Sequence, residues 1–269
     1  MEAFFNYGFL QRALIAGVFV ALACAMLGVF LILRRDAMIG HGLAHIAFAG
    51  IAIGFFLDVM PLFAALLVAI ISALGIMKLK EKAGLYGDTA IAIISSVGFA
   101  LGVLVATFSG RLNVDLFGYL FGDILAIDFS EVVFAAGLAV VVVIIILLHY
   151  HKFLYMTFDR ESAKASGIPV DRFEMILAVS TAVTVVLGMK IVGILLVSAL
   201  LVIPAAAGLQ LASSFRQSIA ISCCVSLVSV VVGLVAAFFL DFPASGAIVL
   251  LAFLFFGLFF IIKHGRQFF

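Results

Sequence analysis

Two histidines stand one helical turn apart in an almost wholly apolar stretch, "IGHGLAHIAFAG", at positions 39–50. The i, i+4 spacing of His41 and His45 places both imidazoles on the same face of a helix. With this spacing, one helix can offer two nitrogen ligands to a single metal ion. The alternative is a pair of core histidines that hydrogen-bond to their neighbours. Ionisable residues inside apolar spans usually serve a function, which favours the metal interpretation.

Two carboxylates form a second candidate group, in the stretch "NVDLFGYLFGDILAI" at positions 113–127. Together with the imidazoles, Asp115 and Asp123 would form a mixed oxygen and nitrogen set that suits zinc, manganese or ferrous iron. Two plainer interpretations stay open, because Asp123 can cap the helix that follows it and Asp115 can be a solvated loop acid. The sequence therefore predicts His41, His45, Asp123 and Asp115 as candidate metal ligands.

Two common enzymatic motifs are absent from the sequence. A metalloprotease of the His-Glu-x-x-His type needs glutamate after its first histidine, but Gly42 follows His41. The chain also lacks the G-x-x-x-x-G-K-[ST] phosphate loop that usually binds ATP. We therefore expect no catalysis by this chain. If it pumps ions, the energy must come from an ion gradient or a partner subunit.

The composition predicts the elements that must position these side chains. The chain of 269 residues is 67% hydrophobic and 11% charged, with a mean hydropathy of +1.42. Several segments reach the roughly 18–20 apolar residues that cross a bilayer, and their long Val/Ile/Leu runs do not alternate as strands of a barrel would. We predict an all-α polytopic membrane protein, one transmembrane domain over positions 1–269. The predicted spans are 10–33, 38–57, 61–77, 88–108, 128–149, 173–189, 191–208, 218–239 and 244–262.

The number of spans depends on Lys190. It lies either in a short external turn or within one broken helix, so the chain has nine or eight spans. With the N-terminus outside, twelve of the fifteen Lys and Arg residues fall in inward loops, and only Arg12, Arg111 and Lys190 fall outside. The positive-inside rule then gives the orientation in the cytoplasmic membrane.

Two cytoplasmic stretches carry further signals. The first, "FDRESAKASGIPVDRFE" at positions 158–174, predicts a short amphipathic helix that stops at Gly167 and Pro169. The second, at positions 188–218, combines a predicted span end near Pro204 with small residues and a polar inward turn. Small residues permit close helix packing. Taken alone, the first stretch can be an ordinary charged loop and the second can be purely structural.

Three motifs in order resemble one family over nearly the whole chain: the membrane permeases of zinc- and manganese-type ABC importers. They are "LILRRDAMIGHGLAHIAFAGIAIG", "VDLFGYLFGDILAI" and "MKIVGILLVSALLVIPAA". By position, His45 matches the family's signature histidine and Asp123 its loop aspartate. His41 departs from the family, which usually has Asp there. An aspartate in the Leu-Phe-Gly-Asp segment resembles the zinc-type members, and two histidines favour zinc over manganese on ligand softness.

This resemblance implies a fold and a set of partners. The fold is that of a type II ABC importer permease. The partners are a second copy of the permease, cytoplasmic ATP-binding subunits and an extracytoplasmic metal-binding protein. The expected cargo is Zn²⁺, with Mn²⁺ or Fe²⁺ as alternatives, and a secondary transporter or channel for divalent cations is the rival function. Two inner loops resemble those that engage the ATPase, and their candidate residues are Glu161, Ala165, Gly167, Gly208, Ala212 and Arg216.

Overall fold

The regular elements are all helices in the computed structural model, which describes residues 8–83, 87–108 and 129–265. The eleven helices in these ranges are α1 (Gly8–Leu33), α2 (Ile39–Phe56), α3 (Pro61–Ala83), α4 (Gly87–Phe108), α5 (Phe129–Leu148), α6 (Tyr150–Phe158), α7 (Arg160–Ala165), α8 (Val170–Val192), α9 (Ile194–Leu211), α10 (Phe215–Leu240) and α11 (Ala244–Gly265). The all-α prediction is confirmed. Each of the nine predicted spans coincides with a helix. The largest difference is at the end of α3, which continues to Ala83 instead of ending at residue 77.

Seven of these helices are long and apolar enough to cross a membrane, namely α1, α2, α3, α4, α8, α10 and α11. Two further helices, α5 and α6, meet at a bend of 67° and make an eighth span if they are counted together. The apolar part of α9, Leu196–Leu211, is shorter. All 18 residues of α9 extend about 27 Å, slightly less than the roughly 30 Å of a bilayer core. The predicted eight or nine spans therefore correspond to these helices, with α9 as the ninth.

The chain reverses direction between α8 and α9 at Gly193, whose φ is +87°. A Cβ added to Gly188 would lie 2.5 Å from a methyl of Val197. In one continuous helix these two residues would be about 13 Å apart along the axis. The segments around residue 190 are therefore two helices joined by a tight turn, which decides between the two alternatives left open by the sequence.

Helices α1 and α2 are mostly buried by the rest of the bundle. Helix α1 packs against α5, α9 and α10, whereas α2 packs mainly against α3 and α4. Glycines bring α4 close to α2: a Cβ on Gly98 would lie 2.9 Å from the Ile46 side chain, and one on Gly102 would lie 2.7 Å from Ala49 Cα. Small residues with this four-residue spacing let two helix backbones approach closely. Helix α2, which carries the histidines, is thus held close to α4.

The short cytoplasmic helix α7 is capped at both ends. Asp159 is its N-cap and accepts hydrogen bonds from Ser162 N at 2.9 Å and from Ser162 Oγ at 2.6 Å. At the other end, Gly167 has a φ of +80°, its N–H donates to Lys164 O, and the N–H of Ile168 donates to Ala163 O. This is the Schellman arrangement, in which glycine occupies the left-handed position. The predicted short helix that ends at Gly167 is confirmed.

Candidate functional site

A cleft of about 480 Å³ lies between α2 and α4, and both histidines line it. Its other lining residues are Met38, Gly42, Asp88, Ile91, Ala92, Ser95, Ser96 and Phe99. His41 is exposed to the cleft and His45 is half-buried. Because His41 is the third residue of α2, the pair lies in the first two turns of the helix. The positive-inside orientation places those turns toward the cytoplasm.

The two imidazoles face each other through the same ring atom. His41 Nε2 and His45 Nε2 are 3.1 Å apart, and the ring planes are nearly perpendicular, at 89°. One neutral ring can therefore donate to the other across this distance. Two nitrogens bound to one tetrahedral Zn²⁺, each about 2.05 Å from the ion, would be roughly 3.3 Å apart. The two separations are similar, and binding of one ion would also require the donating ring to lose its Nε2 proton and both rings to turn toward the ion.

The ring of His45 is held by its neighbours on α4. It contacts Phe99 edge to face, with 5.3 Å between the ring centroids, and Phe99 in turn packs against Phe48. One turn earlier, a Cβ on Gly42 would lie only 2.6 Å from the Ile91 side chain. The histidine-bearing face of α2 is thus fixed against α4. The cleft opens beside that contact.

The structure adds Asp88 to the cleft, a residue that the motif analysis missed. Helices α2 and α4 run in the same direction, since Ile46 lies beside Gly98 and Ala49 lies beside Gly102. Asp88 is seven residues before Ser95 on α4, which is about 10 Å along the axis toward the start of the helix. Asp88 is the first residue of the predicted span 88–108, which starts on the same side of the membrane as α2. That position is the sequence signal that places it near the histidines.

The two carboxylates predicted as ligands, Asp115 and Asp123, lie outside the described residues. Within residues 8–83, 87–108 and 129–265, no group of three or more His, Cys, Asp and Glu side chains is arranged to hold a metal ion. His41 and His45 are thus the part of the predicted ligand set that the structure brings together, and the full set stays a prediction.

The candidate coupling residues fall in two places on the cytoplasmic side. Glu161, Ala165 and Gly167 are exposed on α7 and at its end. Gly208 is buried inside α9, where an added Cβ would meet Ser222 Oγ of α10. It therefore packs two helices together and is not part of the inward turn.

The other two residues of this set flank the turn itself. Ala212 ends α9 and is half-buried, whereas Arg216 is exposed in the first turn of α10. The guanidinium of Arg216 lies 5.9 Å from the centre of the Tyr150 ring on α6. The turn between α9 and α10 is thus packed onto α6, the helix that leads into α7.

Comparison with known proteins identifies the family. The ABC 3 transport family matches residues 6–263. The chain belongs to the ABC 3 transport family. It is 34% identical over 245 residues to the high-affinity zinc uptake system membrane protein ZnuB of Haemophilus influenzae, covering 90% of this chain and 94% of that protein. It is 32% identical over 252 residues to the manganese transport system membrane protein MntC of Listeria monocytogenes, covering 94% and 90%.

A solved structure shows the same fold. The structure of PsaBC from Streptococcus pneumoniae in complex with Fab contains a chain that superposes with a TM-score of 0.86. The two chains are 30% identical, and the match covers 96% of this chain and 93% of that one. The resemblance to ABC metal permeases and the importer-type fold are confirmed. As a member of the ABC 3 transport family, the chain is a multi-pass membrane permease.

Proposed function

We propose that this ABC 3 permease moves a divalent transition metal ion inward across the cytoplasmic membrane, with Zn²⁺ as its preferred cargo. The observation that carries the proposal is the facing pair of His41 and His45 nitrogens in an open cleft. Imidazole nitrogens suit zinc better than manganese, which prefers oxygen ligands. One relative is named for zinc and the other for manganese, so their names do not favour either metal. The proposed preference for zinc therefore rests on the two imidazole ligands of this chain.

The site is suited to brief binding. His41 is exposed, and two imidazoles alone leave at least two positions of a tetrahedral ion open. A transported ion must leave again, so an incomplete and accessible site is expected. We propose that Asp123, in the outward segment after α4, is a further ligand on the path of the ion to the histidine pair and that Asp115 guides the ion from outside.

The energy is proposed to come from partner subunits. The sequence has no phosphate loop, so a separate ATP-binding subunit would hydrolyse ATP on the cytoplasmic side. An extracytoplasmic metal-binding protein would deliver the ion, and two copies of the permease would form the transporter. The exposed residues of α7, together with Ala212 and Arg216, are the proposed contact surface for the ATPase. Dependence of uptake on that subunit would separate this function from a secondary transporter or channel.

The test is zinc uptake into vesicles that contain the permease, its ATP-binding subunit and its metal-binding protein. His45→Ala should abolish uptake, because it removes half of the nitrogen pair, while assembly of the complex is unchanged. His264→Ala is a suitable control, because His264 stacks on Phe260 at the exposed end of α11. Uptake by His45→Ala at the wild-type rate would refute the site.

A further inference from the structure

Five charged residues on the cytoplasmic side form a connected set, here named the ion-pair network: Arg34, Asp36, Lys80, Arg160 and Glu174. Glu174 on α8 is shared between two arginines, with its Oε1 at 2.6 Å from Arg34 Nη2 and at 2.8 Å from Arg160 Nε. Asp36 Oδ1 lies 2.6 Å from Lys80 Nζ at the end of α3. The network therefore joins α7 and α8 to α3 and to the turn between α1 and α2.

The centre of the network is buried, unlike an ordinary surface ion pair. The side chains of Arg34, Asp36 and Glu174 are exposed by only 11%, 9% and 14%. Exposed pairs contribute little because solvent screens them, whereas an ion pair withdrawn from water depends on each partner being present. Displacing one of these three side chains would therefore leave another charge buried and unpaired, which links their positions.

One end of the network is the short cytoplasmic helix α7. Arg160 is its first residue and binds both carboxylate oxygens of Glu174, at 2.8 and 3.1 Å, as well as Asp171 at 3.1 Å. A forked contact of this kind fixes orientation as well as distance. Movement of α7 would therefore pull directly on Glu174.

The other end is the start of the histidine helix. The backbone O of Asp36 accepts from Ile39 N at 3.0 Å, and Ile39 is the first residue of α2. His41 follows two residues later. The carboxylate of Asp36 thus anchors the turn from which the metal-binding face of α2 begins.

Arg34 also faces the second carboxylate of the network. Its Nε is buried and has no hydrogen-bond partner in the described part of the chain, and it lies 3.8 Å from Asp36 Oδ2. This distance is too long for a hydrogen bond but needs a shift of less than 1 Å to become one. The contact to Glu174 uses Nη2, so one guanidinium faces both carboxylates of the network at the same time. Arg34 therefore links the Glu174 half of the network to the Asp36 half.

We propose that the ion-pair network carries movement of α7 to the start of α2, and so to His41 and His45. The inference rests on the proposed function, since it assumes an ATPase that acts on α7. Glu174, Asp36 and Lys80 are positioning residues in this account, because they act on the cleft through the backbone of the α1–α2 turn. The network and the cleft are separate groups of residues, so coupling and metal binding can be measured apart.

The experiment uses the permease with its ATP-binding subunit and metal-binding protein in vesicles, and measures zinc ions taken up per ATP hydrolysed. The zinc affinity of the purified permease is measured separately by competition with a chromophoric chelator. Glu174→Gln and Lys80→Met should each lower the transport ratio by about fivefold or more, the lower end of typical coupling. Their zinc affinity should stay within about twofold of wild type. Lys80→Arg keeps the charge and should restore the ratio.

The matched control is Glu81→Gln. Glu81 is an exposed carboxylate beside Lys80 that forms no ion pair in the described part of the chain, so its transport ratio should be that of wild type. A wild-type transport ratio in both Glu174→Gln and Lys80→Met would overturn the proposal. A loss of zinc affinity as large as the loss of transport ratio would also overturn it, because it would indicate a merely structural role. If Glu174→Gln does not fold, the comparison of Lys80→Met with Lys80→Arg decides. Wild-type protein that takes up zinc without an ATPase would overturn the proposed function and the network proposal together.

Discussion

The close contact between α2 and α4 makes Gly102 a sensitive position. A methyl group at residue 102 would lie 2.7 Å from Ala49 Cα and 3.0 Å from Ala49 Cβ. Carbon atoms pack best at about 3.5–4.0 Å, so Gly102→Ala would force the helices apart by roughly 0.8 Å. Neither neighbour is the flexible end of a side chain that could rotate away. The separation must therefore be taken up by the helix backbones.

The expected stability change is the difference between two effects. Overpacking of this kind costs about 1–3 kcal/mol, whereas replacing glycine by alanine within a helix recovers about 0.5–1 kcal/mol. Gly102→Ala should therefore destabilise the permease by up to about 2.5 kcal/mol. It should also weaken zinc binding, because Phe99, one turn away on α4, would move away from the His45 ring.

The matched control is Gly257→Ala on α11. An added Cβ there meets no heavy atom within 4 Å, so this variant should keep or slightly raise the stability. The assay is reversible denaturant unfolding of the two purified variants in the same detergent, followed by zinc titration with a competing chelator. Equal unfolding free energies for Gly102→Ala and Gly257→Ala would refute the packing argument. Loss of stability with unchanged zinc affinity would refute its link to the site.

Three further predictions concern the metal, the capped helix and the inward turn. His41→Asp should lower the preference for zinc over manganese in competitive uptake, because a carboxylate oxygen replaces an imidazole nitrogen; an unchanged preference would remove residue 41 from the site. The Ser162 hydroxyl and amide lower the pKa of Asp159, so its cap on α7 should be present at neutral pH and lost only as the pH falls below the usual range of an aspartate. Hydrogen exchange of the α7 amides checks this: Asp159→Ala should lack the protection at every pH, whereas Asp159→Asn should keep it without titrating. Ala212→Glu should reduce co-purification of the ATPase without changing zinc affinity, and full retention of the ATPase would argue against that turn as its contact.

The apolar spans could be predicted from sequence because the bilayer leaves few choices. An uninterrupted apolar run must satisfy its backbone internally, so it becomes a helix wherever it is long enough. The largest boundary difference is at the end of α3, where the charged stretch at residues 78–82 predicts a loop and the helix continues to Ala83. Lys and Glu are good helix formers, and long charged side chains can reach the membrane surface from a helix that continues past it.

The histidine pair was visible in the sequence because its two members are four residues apart on one helix. The residues that complete the cleft were not, because Asp88 and Phe99 are brought to α2 by the packing of another helix. The ion pair between Arg34 and Glu174 joins residues 140 positions apart, and nothing in its local sequence predicts that distance. Side chains that meet across a fold depend on helix packing, which a single sequence does not show.

The turns at the two ends of α2 are held by different kinds of contact. At the far end, Gly54 approaches the backbone of Pro61 so closely that an added Cβ would lie 2.6 Å from its Cα. Such contacts are rigid, because the backbones have no side chains between them to rearrange. At the near end, the turn before α2 is held by the ion pairs that Arg34 and Asp36 form with Glu174 and Lys80.

That turn also contains Arg35 at a φ of +60°, a conformation that costs a residue with a Cβ about 1–2 kcal/mol. Arg35 occupies the left-handed position of a Schellman arrangement at the end of α1. Its N–H donates to Ile32 O, and the N–H of Asp36 donates to Leu31 O. The turn after α2 contains a residue of the same kind, Asp58 at a φ of +53°, so the ion pairs and not backbone strain distinguish the two ends. The histidines lie five and nine residues beyond Asp36 in the first two turns of the same helix, so a displacement of the turn would move the nitrogen pair as a unit relative to the wall of the cleft formed by α4.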